Sequence, residues 1–165
     1  MTTLNNLVEN DEYYTNKEVW MDILHYLDRS KIYLEPFYGD GRNIENLKEL
    51  GLNAIGSDID CFELLQNLEY DVIITNPAFS KNILTEFLYN LEALQKSFII
   101  ILPINKIFTK YFRTAFRSYR DIQIIIPSKR LNFIDPRKPN KKSNPSFVCC
   151  YVCYKMDLPS DIIFL

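Results

Sequence analysis

The sequence predicts a single α/β domain built on a mostly parallel sheet of about six to seven strands. Three observations carry this reading. Strand and helix signals alternate along most of the chain, which argues for a parallel sheet covered by helices. Two runs, DVIIT at 71–75 and SFIIIL at 97–102, are almost continuously apolar, as strands buried on both faces are. The length of 165 residues suits one domain spanning 1–165, with a polar segment at 1–13 and no separate second domain.

The elements follow in order. Thr15-Asn16-Lys17-Glu18 reads as a capping box that opens a helix carrying Val19, Ile23, Leu24 and Leu27 on one face. Residues 31–35 form a first strand ended by Pro36. A glycine turn follows, then a helix over 42–50 closed by Gly51. Residues 53–57 form a short second strand and 71–75 the next, ended by Asn76-Pro77. Ser80 caps a helix reaching about Gln95, and 97–102 returns to strand. A polar-aromatic helix covers about 108–120. Residues 121–126 and 146–154 read as two final strands, an antiparallel pair at one edge. The loop between them is rich in Pro, Asn and Lys.

Composition excludes several classes. Apolar residues make up 47% and the net charge is −2, so a core is affordable and any polyanion binding must be local. No run approaches the roughly 18–20 apolar residues of a membrane span. The polar, acidic start lacks the features of a secretory signal. Three of the four cysteines, Cys149, Cys150 and Cys153, share one apolar run, which suits a reducing, cytoplasmic setting better than a disulfide framework. Cys150 and Cys153 formally make C-x-x-C, but residues three apart on a strand face opposite ways and no second pair exists, so no metal is expected. His25 is the one histidine and has no evident partner, so it reads as structural.

Chemistry is concentrated at three strand ends. Glu35-Pro36-Phe37-Tyr38-Gly39-Asp40-Gly41 follows the first strand. Glycines there let the backbone approach a ligand, and an acid can hold a ligand ammonium. The alternative is a glycine turn with a structural acid. Gly56-Ser57-Asp58-Ile59-Asp60 follows the second strand, where an acid can bond ribose hydroxyls; the alternative is a solvated turn. Asn76-Pro77-Ala78-Phe79 follows DVIIT. An aromatic amine such as adenine N6 is a poor nucleophile because its lone pair is delocalised. A carboxamide oxygen and a backbone carbonyl that accept its two N–H bonds draw density onto the nitrogen and aim it. Proline keeps its carbonyl and offers no competing N–H. An aromatic two residues on can stack on an extruded base. The alternative is a strand-ending Asn-Pro turn.

Together these motifs resemble those of amino-directed S-adenosylmethionine methyltransferases, above all the N6-adenine DNA methyltransferases. EPFYGDG is similar to their first motif and NPAF to their catalytic (D/N)-P-P-(Y/F). YTNKEVWMDIL resembles the segment that closes over the methionine end of the cofactor. The likeness covers roughly 14–79. It implies a Rossmann-like fold and S-adenosylmethionine as cofactor. It implies that Tyr14, Thr15, Glu35, Phe37, Gly39 and Gly41 hold the methionine part, that Asp58 bonds the ribose, and that Asp60 and Phe62 contact the adenine. It implies that Asn76 and Pro77 bind the target amine and that Phe79 stacks on the base. Ala78 stands where the family usually has a second proline, a residue that supplies rigidity and no reacting group. Only ten residues separate Asp60 from Asp71, so one βα unit of the usual sheet is expected to be missing or reduced.

A positive patch of Lys129, Arg130, Arg137, Lys138, Lys141 and Lys142 is a candidate for phosphate contact; the alternative is a solvated loop. Lys106, Lys110, Tyr111, Phe112, Arg113 and Arg117 form a second basic-aromatic cluster, a candidate helix edge near the same cleft; the alternative, and the commoner case, is an amphipathic helix with a core face. The function expected is methyl transfer to adenine N6, in DNA before RNA, with selectivity from the final loops or from a partner, a homodimer included. The same tetrapeptide also serves protein glutamine and guanine N2. A methyltransferase fold that has lost activity is the third alternative.

Overall fold

The structure is a computed structural model that describes residues 13–78, 80–117, 120–135, 137–138, 142–143 and 147–165. The main sheet uses β2 (Ile32–Leu34), β3 (Asn53–Ile55), β4 (Val72–Thr75), β5 (Ser97–Pro103), β6 (Ile122–Ile126), β9 (Cys149–Tyr154) and β10 (Ile162–Phe164). Their spatial order is β3-β2-β4-β5-β9-β6-β10. All neighbours run parallel except around β9, which is antiparallel to both β5 and β6. A small second sheet joins β1 (Tyr14–Thr15), β7 (Phe133–Ile134) and β8 (Lys142–Ser143). The helices are α1 (Lys17–Met21), α2 (Arg42–Glu49), α3 (Cys61–Asn67), α4 (Lys81–Leu94) and α5 (Lys110–Phe116).

The α/β fold class and the mostly parallel sheet are as the sequence predicts. The expected antiparallel pair exists but not at an edge. β9 lies between β5 and β6, and all six of its residues are buried. An edge position would leave one row of its backbone N–H and C=O groups unpaired beside that unbroken apolar run. The edge belongs to β10, a strand the sequence reading left out.

The shortened second half-unit is also real. α3 leads straight into β4, which pairs with β2, so β3 is left as the other edge of the sheet. The ten residues do hold a helix, with Asp60 as its N-cap, but no strand beyond it. Seven strands remain because β10 adds one at the far edge.

Two helix starts differ from expectation. Thr15 lies in β1, paired with Phe133, and Asn16 caps α1 without a side-chain cap bond. The capping box is therefore absent: Asn16 Nδ2 donates instead to the Asn132 carbonyl at 2.9 Å. The predicted first helix is two short pieces, α1 and a 3₁₀ turn at Leu24–Tyr26, which together still bury Val19, Trp20, Ile23 and Leu27. Ser80 precedes α4, but its hydroxyl makes no cap bond.

The four described cysteines are free and buried. Burial pushes Cys149 and Cys150 up to about 12 and Cys153 higher. Among the described residues no group of His, Cys, Asp or Glu could hold a metal ion, and no helix is long and apolar enough to cross a membrane.

The core joins α1 to the central strands. The buried Tyr151 hydroxyl on β9 donates to the Val19 carbonyl at 2.5 Å, and the Trp20 ring leans on Tyr151 at 6.2 Å. Replacing Tyr151 with Phe leaves that carbonyl unsatisfied. The expected loss is about 1–3 kcal/mol, read as an earlier urea midpoint with an unchanged slope.

Candidate active site

Parallel strands end together, so the connections after β2, β3, β4, β5 and β6 gather at one edge of the sheet. Three of these connections carry the predicted chemistry. The geometry begins at Glu35, which is 2% exposed. Its Oε1 accepts the Phe37 N–H at 2.9 Å and the Thr75 hydroxyl, and its Oε2 accepts the Asn43 amide. Asn43 Oδ1 in turn accepts the Trp20 indole N–H at 2.6 Å. One carboxylate thus ties the ends of β2 and β4 to α2 and, through Asn43, to α1.

Burial pushes the Glu35 carboxyl up to about 8, against the pull of its three donors. Burial favours the protonated acid, whereas the three donors and any cation beside it favour the carboxylate.

The loop after Glu35 takes the shape its glycines permit. Gly39 and Gly41 have φ of +58° and +80°, the left-handed region. A Cβ at Gly41 would also lie 2.8 Å from the Tyr38 hydroxyl. Gly56, after β3, passes so close to Glu35 that a Cβ there would meet its carbonyl oxygen at 2.6 Å. Backbone and glycine together leave a cavity of about 40 Å³, lined by residues that include Tyr13, Tyr14, Thr15, Glu35, Gly39 and Asn76. Tyr14 lies against Gly39, and the Arg42 guanidinium sits 5.4 Å from the Tyr14 ring centre.

Asn76 stands at the end of β4 on the same cavity. Its Oδ1 is buried and finds no hydrogen-bond partner among the described residues. An acceptor withdrawn from water without a donor costs about 1–3 kcal/mol, which a ligand N–H would recover. Pro77 beside it is buried and Ala78 is half-buried. Phe79 lies outside the described residues.

The remaining candidates divide. Phe37 packs edge-on against Phe87 on α4 at 5.0 Å and lines the cavity. Asp58 is exposed after β3. Asp60 accepts the N–H groups of Phe62 at 2.9 Å and Glu63 at 3.4 Å, so its carboxylate is engaged as the α3 cap; Phe62 is half-buried. In the basic patch, Lys129, Arg130 and Lys138 are exposed, and Arg130 donates to the Phe147 carbonyl at 3.2 Å. Arg137 pairs with the buried Asp135 at 2.8 Å, so its guanidinium is a structural clamp. Lys141 and the side chain of Lys142 lie outside the described residues. Thr75, Asn43 and Trp20 belong to the site and were missed. Thr75 signals itself as the one polar residue in VIIT.

The fold has counterparts among solved structures. A Listeria monocytogenes protein described as a class I S-adenosylmethionine-dependent methyltransferase aligns over 98% of this chain and 68% of its own, with TM-score 0.59 at 11% identity. A Pyrococcus horikoshii protein described as an RNA methyltransferase aligns over 93% and 91%, with TM-score 0.54 at 14% identity. The fold is that of the Rossmann-like methyltransferases. A Geobacter metallireducens precorrin-6y C5,15-methyltransferase aligns over 94% and 100%, with TM-score 0.50 at 12% identity. No protein-family model and no curated sequence matches the chain.

The raised Glu35 carboxyl fixes the sign of a pH effect. The folded state holds a proton that the unfolded state, at the ordinary value of 4.5, has released, so stability falls as pH rises from about 4.5 to about 8. Urea unfolding at pH 5 and pH 8 is expected to show this fall in the wild type and a smaller one in Glu35→Gln.

Proposed function

We propose that the protein transfers a methyl group from S-adenosylmethionine to an exocyclic amine, adenine N6 in DNA being the preferred target. The observation that carries this is the buried, unpartnered Asn76 Oδ1 on the cavity that Glu35 and Gly39 also line. An acceptor held without a donor, at a strand end in a methyltransferase fold, suits a planar amine.

The residues present fit the cofactor. Glu35 would favour its ammonium, and the Gly39–Gly41 turn would let its methionine part approach the backbone. Tyr14 and Thr15 would cover that end, and the exposed Asp58 after β3 would bond the ribose. When bound, S-adenosylmethionine supplies an electrophilic methyl group on a sulfonium.

The chain's own groups do the rest. Asn76 Oδ1 and the Pro77 carbonyl accept the two amine hydrogens, hold the nitrogen in line and strengthen it as a nucleophile. An amide takes no proton, so the proton lost after transfer goes to water. The Tyr13–Thr15 segment lines the cavity, and it would shield the methionine end from water.

The test is incubation with radiolabelled S-adenosylmethionine and, separately, DNA, RNA and a protein extract. The expected result is labelled N6-methyladenine in DNA, reduced at least a hundredfold in Asn76→Ala at a melting temperature no lower than that of the wild type. Label in protein alone would move the target to glutamine. Absence of both label and cofactor binding would overturn the reading.

A further inference from the structure

Beside the pocket mouth lies a surface that the proposed chemistry leaves unused. β5 pairs Ile100 with Thr75 and then runs on to Pro103. It therefore stands roughly 10 Å beyond the end of β4. The 3₁₀ turn Ile104–Phe108 rises from that wall. Phe108 is 75% exposed, and Ile104 and Val148 are exposed with it. Ile104 N–H donates to the Val148 carbonyl at 2.8 Å, which places the two strand ends side by side. Phe147, next to Val148, meets the Tyr13 ring edge-on at 6.0 Å, and Tyr13 lines the cavity. Contacts thus run from the Ile104–Val148 pair through Phe147 to Tyr13 on the cavity wall.

The turn is held firmly. Ile107 and Tyr111 pack on the core, and the Thr109 hydroxyl donates to the Lys106 carbonyl at 2.6 Å. Phe108 is displayed on a fixed support with three-quarters of its surface exposed.

Charge names the partner. From Ile104 to Arg117 the chain carries Lys106, Lys110, Arg113 and Arg117 and no acid, although the whole protein is at −2. Among the described residues none of these four cations enters an ion pair. Lys129 and Arg130 add exposed charge after β6 at the same edge. A flat aromatic displayed among cations, beside a pocket for a planar amine, matches a nucleic acid: phosphates for the cations and a base stack for the ring.

We infer that this face docks a DNA duplex, with Phe108 entering the stack beside the extruded base and the cations of 106–117 holding the flanking phosphates. The inference rests on the nucleic-acid reading of the pocket. Stacking on a side chain is worth about 1–3 kcal/mol per base, so Phe108 would lower the cost of extrusion.

The probe is a mixed-sequence 25-bp duplex carrying one 2-aminopurine, read by anisotropy and by 2-aminopurine fluorescence at two salt concentrations. Phe108→Ala is expected to bind about tenfold more weakly and to lose most of the fluorescence rise, with melting temperature and S-adenosylmethionine binding unchanged. The triple variant K106A/K110A/R113A is expected to lower the salt slope by about three. Wild-type affinity and fluorescence in F108A, or a wild-type salt slope in the triple variant, would overturn the proposal. So would a polyglutamate peptide that competes as well as the duplex. Failure of the wild type to bind duplex while it still labels protein would overturn this face and leave methyl transfer standing.

Discussion

The buried carboxyl of Glu35 is the constraint on which the site's arrangement depends. It sits where β2 turns into the glycine loop and takes hydrogen bonds from β4, from α2 and from its own loop. The Trp20 indole extends the chain of bonds to α1, and α1 is fastened to β9 through Tyr151. Each partner alone is an ordinary hydrogen bond. Together they fix how far the β2 loop stands from the end of β4, which is the distance between the proposed cofactor end and Asn76. Loss of one donor would leave a desolvated acid with too few bonds, a larger penalty than the bond itself.

The same node explains why the site tolerates an abbreviated sheet. The strand missing after α3 would have extended the sheet beyond β3, on the side away from β4 and β5. The chemistry gathers on β2, β3 and β4, which keep their parallel order. The extra strand β10 lies at the opposite edge beyond β6. Shortening one edge and lengthening the other changes the outline of the protein and leaves the central strand ends in place.

Local signals made much of this legible. Apolar runs located the central strands, and the Gly39–Gly41 turn and Asn76-Pro77 marked two strand ends that the structure brings onto one cavity. What the sequence hid was mostly decided by tertiary contact. The capping box at Thr15–Glu18 has the right letters, yet Thr15 is drawn into pairing with Phe133, a residue far along the chain. Arg137 reads as a free cation until Asp135 is seen beneath it. Asp60 reads as a ligand contact, whereas its carboxylate closes the first turn of α3. Trp20 lies within the YTNKEVWMDIL stretch without a role of its own there, and Asn43 lies in no motif. Their role follows from geometry, because only the fold brings them to Glu35.

The central claim is that this acid organises a cofactor end. Calorimetric titration of S-adenosylmethionine into the wild type and into Glu35→Gln tests it most directly, with a cooperative melt confirming that the variant is folded. The account predicts one-to-one binding by the wild type and at least tenfold weaker binding by the variant. No binding by the folded wild type, or equal affinity in the two proteins, would contradict it.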